Sequence, residues 1–177
     1  MNIKTLLKKT ILSRHKIKPF NIDAAKVVIL GTFPGEESLK HKRYYDNPKN
    51  QIWYVLGIKE IDYENRKKSL EEKGIGLWDV LAYCERYDKG KDTSLDKHIK
   101  NEVYNDLSAL KGKTILFNGQ IAYDYYRKSN LDYGLDEDKM WIMPSTSSAY
   151  SAKKEDKRDE WQRILKKYGI KIKKAQK

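Results

Sequence analysis

Apolar residues along this chain gather in short runs separated by long charged stretches, and the runs differ in period. Between residues 3 and 13, Ile3, Leu6, Leu7, Ile11 and Leu12 fall on one face of a helical spiral. The run "KVVILG" is continuous and ends in glycine, the pattern of a strand buried on both faces of a parallel sheet. "KTILFNG" repeats that design and leads into a helical stretch, "QIAYDYYRKS". "KMWIMPSTSSAYS" is a third strand and loop, followed by an amphipathic helix over 153–168. Asn47 and Pro48 are set to open a helix with "KNQIWYVLG" as its body and Gly57 as its stop. Residues 62–73 predict a charged surface helix, and Asn105 is placed to cap a short helix running to Leu110. "GIGLWDVLAYCERYD" adds an apolar patch around Trp78 and Leu81.

Strands alternating with helices predict an α/β fold, a three-layer α/β/α sandwich around a short, mostly parallel sheet. In such sheets ligands bind beyond the carboxyl ends of the strands. The three runs end in "GTFPGEES", "FNGQ" and "PSTSSAY", loops whose glycines, hydroxyls and backbone N–H groups suit an oxyanion or a base edge. "GTFPGEES" lacks the Lys and Ser/Thr of a phosphate-binding P-loop, and it is not a GxGxxG dinucleotide fingerprint. No repeat or low-complexity linker interrupts residues 1–177, so a single domain is expected, with a basic N-terminal helix and a basic C-terminal tail.

Composition narrows the function. The 177 residues are enough to bury a core without help. Cys84 is the single cysteine, which excludes an internal disulfide and fits a reducing compartment. No apolar run approaches the roughly 20 residues of a membrane span, so a soluble, cytoplasmic, monomeric protein is expected. The net charge of +12 attracts polyanions. Every charged side chain from Met1 to Asn21 is basic, and "QRILKKYGIKIKKAQK" after Trp161 contains no acid. A lysine-rich solvated surface accounts for this as well as nucleic-acid binding does, so charge alone decides little.

The motifs go further. "ILGTFPGEESL", "YYDNPKNQIW", "GLWDVLAYCER", "SLDKHI", "FNG" and "PSTSSA" occur in one order across residues 29–149. In that order they resemble the hypoxanthine-DNA glycosylase (DNA-deoxyinosine glycosylase) family of the uracil-DNA glycosylase superfamily. Asn47 stands where that family usually has His, Lys49 where it has Arg, and Ser148 where it has Pro. Phe33 occupies the place of a catalytic Asn in mismatch-specific relatives, and Met143 that of a His in the main uracil glycosylases. Both absences are expected of this family, whose catalytic amide lies in the second motif at the position matching Asn50.

The resemblance implies an enzyme that extracts a nucleotide from the stack, holds its base and helps water attack the sugar. Asn50 is the first candidate to position that water, because an amide both donates and accepts. Without the resemblance it reads as a polar residue in a first helical turn. Asp46 is the second candidate, as a general base. For base binding the resemblance points to Asn118 reading the base edge, Phe33 stacking, Gly31, Thr32 and Gly35 giving backbone contacts, and Tyr45 walling the pocket with Tyr44. Each has a plainer reading as core, turn or cap. Ser145, Thr146, Ser147 and Ser148 are candidate phosphate contacts, with Ala149 or Tyr150 filling the gap left by the extracted nucleotide. Lys42, Arg43, Lys49, Lys153 and Lys154 flank these loops and would set affinity and salt dependence. Trp53 and Trp78 read as core. None of His15, His41 and His98 is assigned to a metal, and no cofactor is expected.

The expected activity is a monofunctional DNA N-glycosylase that hydrolyses the bond to a flipped hypoxanthine or uracil and leaves an uncleaved abasic site. DNA is the expected partner, with no membrane. The alternatives are a nucleic-acid-binding module of the same fold that has lost its chemistry, and a hydrolase of free nucleosides.

Overall fold

The computed structural model describes residues 10–14, 17–87 and 99–172. Along them run β1 (Thr10–Arg14), β2 (Val27–Gly31), α1 (Glu36–His41), α2 (Ile52–Val55), α3 (Tyr63–Lys73), β3 (Ile75–Asp79), β4 (Leu81–Tyr87) and β5 (Ile99–Tyr104). A 3-10 turn at Leu107–Leu110 precedes β6 (Thr114–Asn118), α4 (Gln120–Ser129), β7 (Met140–Met143) and α5 (Lys154–Lys167).

Four strands form a wholly parallel sheet in the order β3-β2-β6-β7. All five residues of β2 are buried, as its unbroken apolar run requires for an inner strand. Side chains alternate between faces. Val27, Ile29, Ile75, Leu77 and Leu116 pack with Trp53 of α2, Leu70 of α3 and Trp161 and Ile164 of α5. Val28, Leu30, Ile115 and Phe117 pack with Ala122 and Tyr125 of α4, Leu107 and Leu110, and Leu81 and Cys84 of β4. These are the three layers the sequence predicts.

Register places the functional ends level with one another. Gly31 is opposite Asp79, and Asn118 is opposite Met143, so the loops after all four strands leave from one edge.

Four expectations need correction. The helix expected over 3–13 is a strand at Thr10–Arg14, paired antiparallel with β4 from Thr10 opposite Tyr87 to Arg14 opposite Tyr83; residues 3–9 lie outside those described. Ladder hydrogen bonds to a ready partner outweigh a weak helical period carrying β-branched Thr10 and Ile11. β1, β4 and β5 make a second, antiparallel sheet that the apolar patch around Leu81 did not reveal. The helix expected from Pro48 begins at Ile52, because Asn47 Oδ1 accepts the Lys49 N–H and turns the chain first; Gly57 ends it as expected, at φ 65°. The cap before Leu107 is Asp106, whose carboxylate accepts the Ser108 N–H, while the Asn105 side chain donates to the Asp79 carbonyl. Residues 94–98 of "SLDKHI" and 173–177 of the basic tail are outside the described chain.

Candidate active site

Asn118 and Thr146 hold the edge together. Asn118 Nδ2 donates to Thr146 Oγ1 at 2.8 Å, and the Thr146 N–H donates to Asn118 Oδ1 at 2.9 Å. Thr146 is fully buried, and its carbonyl accepts the Gln51 N–H at 2.9 Å. The ends of β6 and β7 and the start of α2 are thereby locked to one residue. Gly119 lies between them at φ 99°, and a side chain there would come within 2.9 Å of Ser145 Cβ.

Gly31 fixes the other half of the edge. A Cβ on Gly31 would sit 2.2 Å from Asp79 Oδ1, so a side chain there would push that carboxylate aside, while the Tyr45 hydroxyl would stand 3.4 Å off, in ordinary contact. Tyr45 reaches this spot from a left-handed backbone, φ 55°, which a bulky residue adopts at a cost. Burial and the charge of Asp79 push the Tyr45 phenol up, and the neighbouring Asn118 amide draws it partly back. Tyr44 is raised for the first two reasons, burial foremost. Tyr63, whose oxygen accepts the Tyr44 N–H at 2.8 Å, is pushed up to about 12, chiefly by burial. The Trp53 indole donates to the Tyr45 carbonyl at 3.3 Å, which ties the double tyrosine to α2.

Asn50 lies at the entrance to α2. Its Oδ1 accepts the Ile52 N–H at 2.9 Å, and its own N–H donates to the Asn47 carbonyl. The arrangement therefore offers two carboxamides, each turned by a backbone N–H, beside a strained tyrosine at the carboxyl edge of a parallel sheet. Such a site can orient water and read a hydrogen-bonding edge.

Against known families, residues 17–168 match the model of the uracil DNA glycosylase superfamily. The chain belongs to that superfamily. A protein of Methanosarcina acetivorans named hypoxanthine DNA glycosylase is 31% identical over 151 residues, covering 79% of this chain and 90% of the relative. A namesake in Methanosarcina barkeri is 33% identical over 125 residues, 64% of this chain and 76% of the relative. A solution NMR structure from Methanosarcina acetivorans, provisionally assigned as a uracil DNA glycosylase, superposes with a TM-score of 0.67 at 27% identity, covering 90% of this chain and 99% of that one. The glycosylase thus has the reaction class of DNA N-glycosylases, hydrolysis of a base from DNA.

Of the other candidate residues, Thr32 to Gly35 follow β2, Ser145 to Lys153 follow β7, and Lys42 to Asn50 lie between α1 and α2. Lys42, Arg43, Lys49 and Lys153 are exposed, as are Gly35, Ser148, Ala149 and Tyr150, and Ser145 and Ser147 are half-buried. Thr32 gives its carbonyl to the Leu81 N–H and Gly31 gives its own to Val80. Phe33 is 7% exposed in the second core cluster, which leaves little of it for a base to stack on. Thr146 corrects its phosphate assignment: its hydroxyl is sealed from solvent and engaged with Asn118. Asp46 is hydrogen-bonded to Nδ1 of His41, a partner that sequence reasoning left scattered.

The edge is also built from residues the motifs did not single out. Asp79 carries the quoted motif "GLWD", where a lone acid ending an apolar run was the available signal. Lys157 and Trp161 of α5 hold the loop after β7 from beneath. No signal in sequence separates Lys157 from the surface lysines around it.

Two measurements test this construction. Thr146→Val keeps shape but strips Asn118 Nδ2 of its acceptor, so chemical denaturation is expected to show a loss of about 1–3 kcal/mol. Tyr44, Tyr45 and Tyr63 are held neutral by the fold, so their contribution is complete below pH 10, the ordinary phenol value, and falls as pH rises toward about 12, the value for Tyr63. Tyrosinate absorbance for Tyr44 and Tyr45 is expected only together with unfolding, and for Tyr63 not before about pH 12; ionisation of any of the three in the folded protein near pH 10 would contradict the burial argument.

Proposed function

We propose that the glycosylase removes a deaminated base, hypoxanthine first and uracil second, and leaves an abasic site without cutting the strand. The observation that carries this reading is the fixed orientation of the Asn118 amide. A backbone N–H can only donate, so the atom facing Thr146 N must be Oδ1. The pair with Thr146 occupies the edge of the amide where oxygen and nitrogen lie side by side, so the second Oδ1 lone pair and the second N–H, which lies towards the Tyr45 phenol, diverge and each can meet a single group of a base. Hypoxanthine and uracil present a ring N–H to such a lone pair and a carbonyl to such an N–H. In the same pose adenine and cytosine put a bare ring nitrogen and an amino group at those points, which reverses donor and acceptor. The relatives named hypoxanthine DNA glycosylase support the purine as first choice.

Asn50 is oriented in the same way by the Ile52 N–H, leaving an acceptor lone pair and its NH2 group for the attacking water and the sugar. Asp46 is the second candidate, as the base that takes the proton, with its carboxylate held by His41. Lys42, Arg43, Lys49 and Lys153 would grip phosphates beside Ser145, Ser147 and Ser148, so affinity should fall steeply with salt. Ala149 and Tyr150 would fill the vacated space. Lys157, the fully buried amine near the loop, is engaged with two backbone carbonyls, so it is not free to form a Schiff base with the sugar.

The test uses end-labelled duplexes carrying deoxyinosine, deoxyuridine or no lesion, treated with protein and then hot alkali. Cleavage at deoxyinosine that needs the alkali is expected, falling on the order of 10²-fold or more in Asn50→Ala and less in Asp46→Asn. Cleavage at deoxyuridine alone would reverse the order of substrates. Folded protein that binds each lesion yet releases no base would replace the enzyme with a binding module. Strand scission without alkali, or an adduct trapped by borohydride, would remove the claim of an uncut product.

A further inference from the structure

Lys157 is the largest departure in the molecule from where a lysine belongs. It is fully buried, and among the described residues none of its hydrogen bonds or ion pairs is to a carboxylate. Burial lowers its pKa. Its Nζ donates to the Tyr150 carbonyl at 2.9 Å and the Ser147 carbonyl at 3.3 Å, and it lies 4.9 Å from the centre of the Tyr150 ring. Four residues on, and so on the same helical face, Trp161 Nε1 donates to the Pro144 carbonyl at 2.8 Å. One face of α5 thereby fixes three carbonyls of a single loop.

The loop so fixed is not itself buried. Ser148, Ala149 and Tyr150 are exposed, Tyr150 at 47%. An apolar side chain at position 157 would fill the core at lower cost, since an ammonium gives up its hydration to be there. What the cation supplies, and an apolar residue cannot, is the direction of two carbonyls, and with them the pose of the turn between Ser147 and Tyr150. Tyr150 is held twice, by its carbonyl and by its ring, while 47% of the residue stays exposed.

We propose that Lys157 is the positioning residue for nucleotide extraction: it holds the 147–150 turn so that Tyr150, with Ala149, enters the duplex where the damaged nucleotide leaves. The inference rests on the proposed glycosylase activity and on this turn meeting the gap. It separates extraction from chemistry, because Lys157 touches neither base nor sugar. Weakening the turn should therefore matter in proportion to how hard the nucleotide is to extract.

The experiment compares single-turnover base release from two duplexes, one with deoxyinosine opposite cytosine and one with deoxyinosine opposite an abasic-site analogue. Backbone contacts are alike in the two, and only the pairing to be broken differs. Lys157→Met, which keeps length and apolar volume, is expected to lose about tenfold or more on the paired duplex and less than about threefold on the unpaired one. Tyr150→Ala should show the same split, and the double variant should be no worse than the poorer single one, because both act through one turn. Equal loss on both duplexes, or no loss on either, overturns the proposal. Should Lys157→Met fail to fold, Tyr150→Ala carries the test, since its exposed ring supports no core; equal loss on both duplexes there is equally fatal. A wild-type protein that releases no base from either duplex refutes the proposed function itself, and does so before any variant is compared.

Discussion

The reciprocal pair between Asn118 and Thr146 is the constraint on which the rest of the site depends. Two hydrogen bonds of 2.8 and 2.9 Å join the end of β6 to the loop after β7, and the Thr146 carbonyl extends the join to α2 through Gln51. Thr146 is fully buried, so these bonds do not compete with water. Removing one partner strands the other inside the protein, which costs more than the bond itself contributes. The network is therefore close to all or none. The segment with Asn50 and the segment with Asn118 lie far apart in sequence and keep a fixed relation because Thr146 touches both.

A second constraint is steric. Asp79 and the Tyr45 hydroxyl approach the backbone of β2 at the single residue without a side chain. Tyr45 reaches that point from a left-handed conformation, which for a bulky residue costs roughly 1–3 kcal/mol. The Trp53 indole on its carbonyl and the packing of both tyrosines against the first core cluster offset that strain. Strain retained beside a pair of oriented amides is what a preorganised site leads one to expect.

Much of this was legible from the sequence, for physical reasons that also mark its limits. β2, β6 and α4 are set by unbroken apolar runs and a strong helical period, so local pattern and tertiary packing agree. The motif order led to the right superfamily. β1 was misread because its state is set by pairing with β4, some seventy residues away. The burial of Thr146 was invisible in a serine-rich turn, since Thr and Ser there look alike until a partner strand is placed beside them. Lys157 lay hidden in "KKEDKRDE", where every neighbour is charged and only the three-dimensional packing selects the one that turns inward.

How much selectivity one oriented amide can supply follows from what it would take to turn it over. A flipped Asn118 would set its NH2 group against the Thr146 N–H, losing the bond to Oδ1 and leaving two donors face to face. The Thr146 hydroxyl can rotate to donate as well as accept, so the bond to Oγ1 is recoverable, and the backbone N–H is what enforces the orientation. At about 1–3 kcal/mol for a buried donor left unsatisfied, the flipped amide is rarer by roughly 5- to 150-fold. Discrimination against adenine or cytosine through this residue alone is bounded by that ratio, of the same order as a single mismatched contact in a binding pocket. Any greater selectivity has to come from the extraction step, where a well-paired normal base resists leaving the stack more than a lesion does.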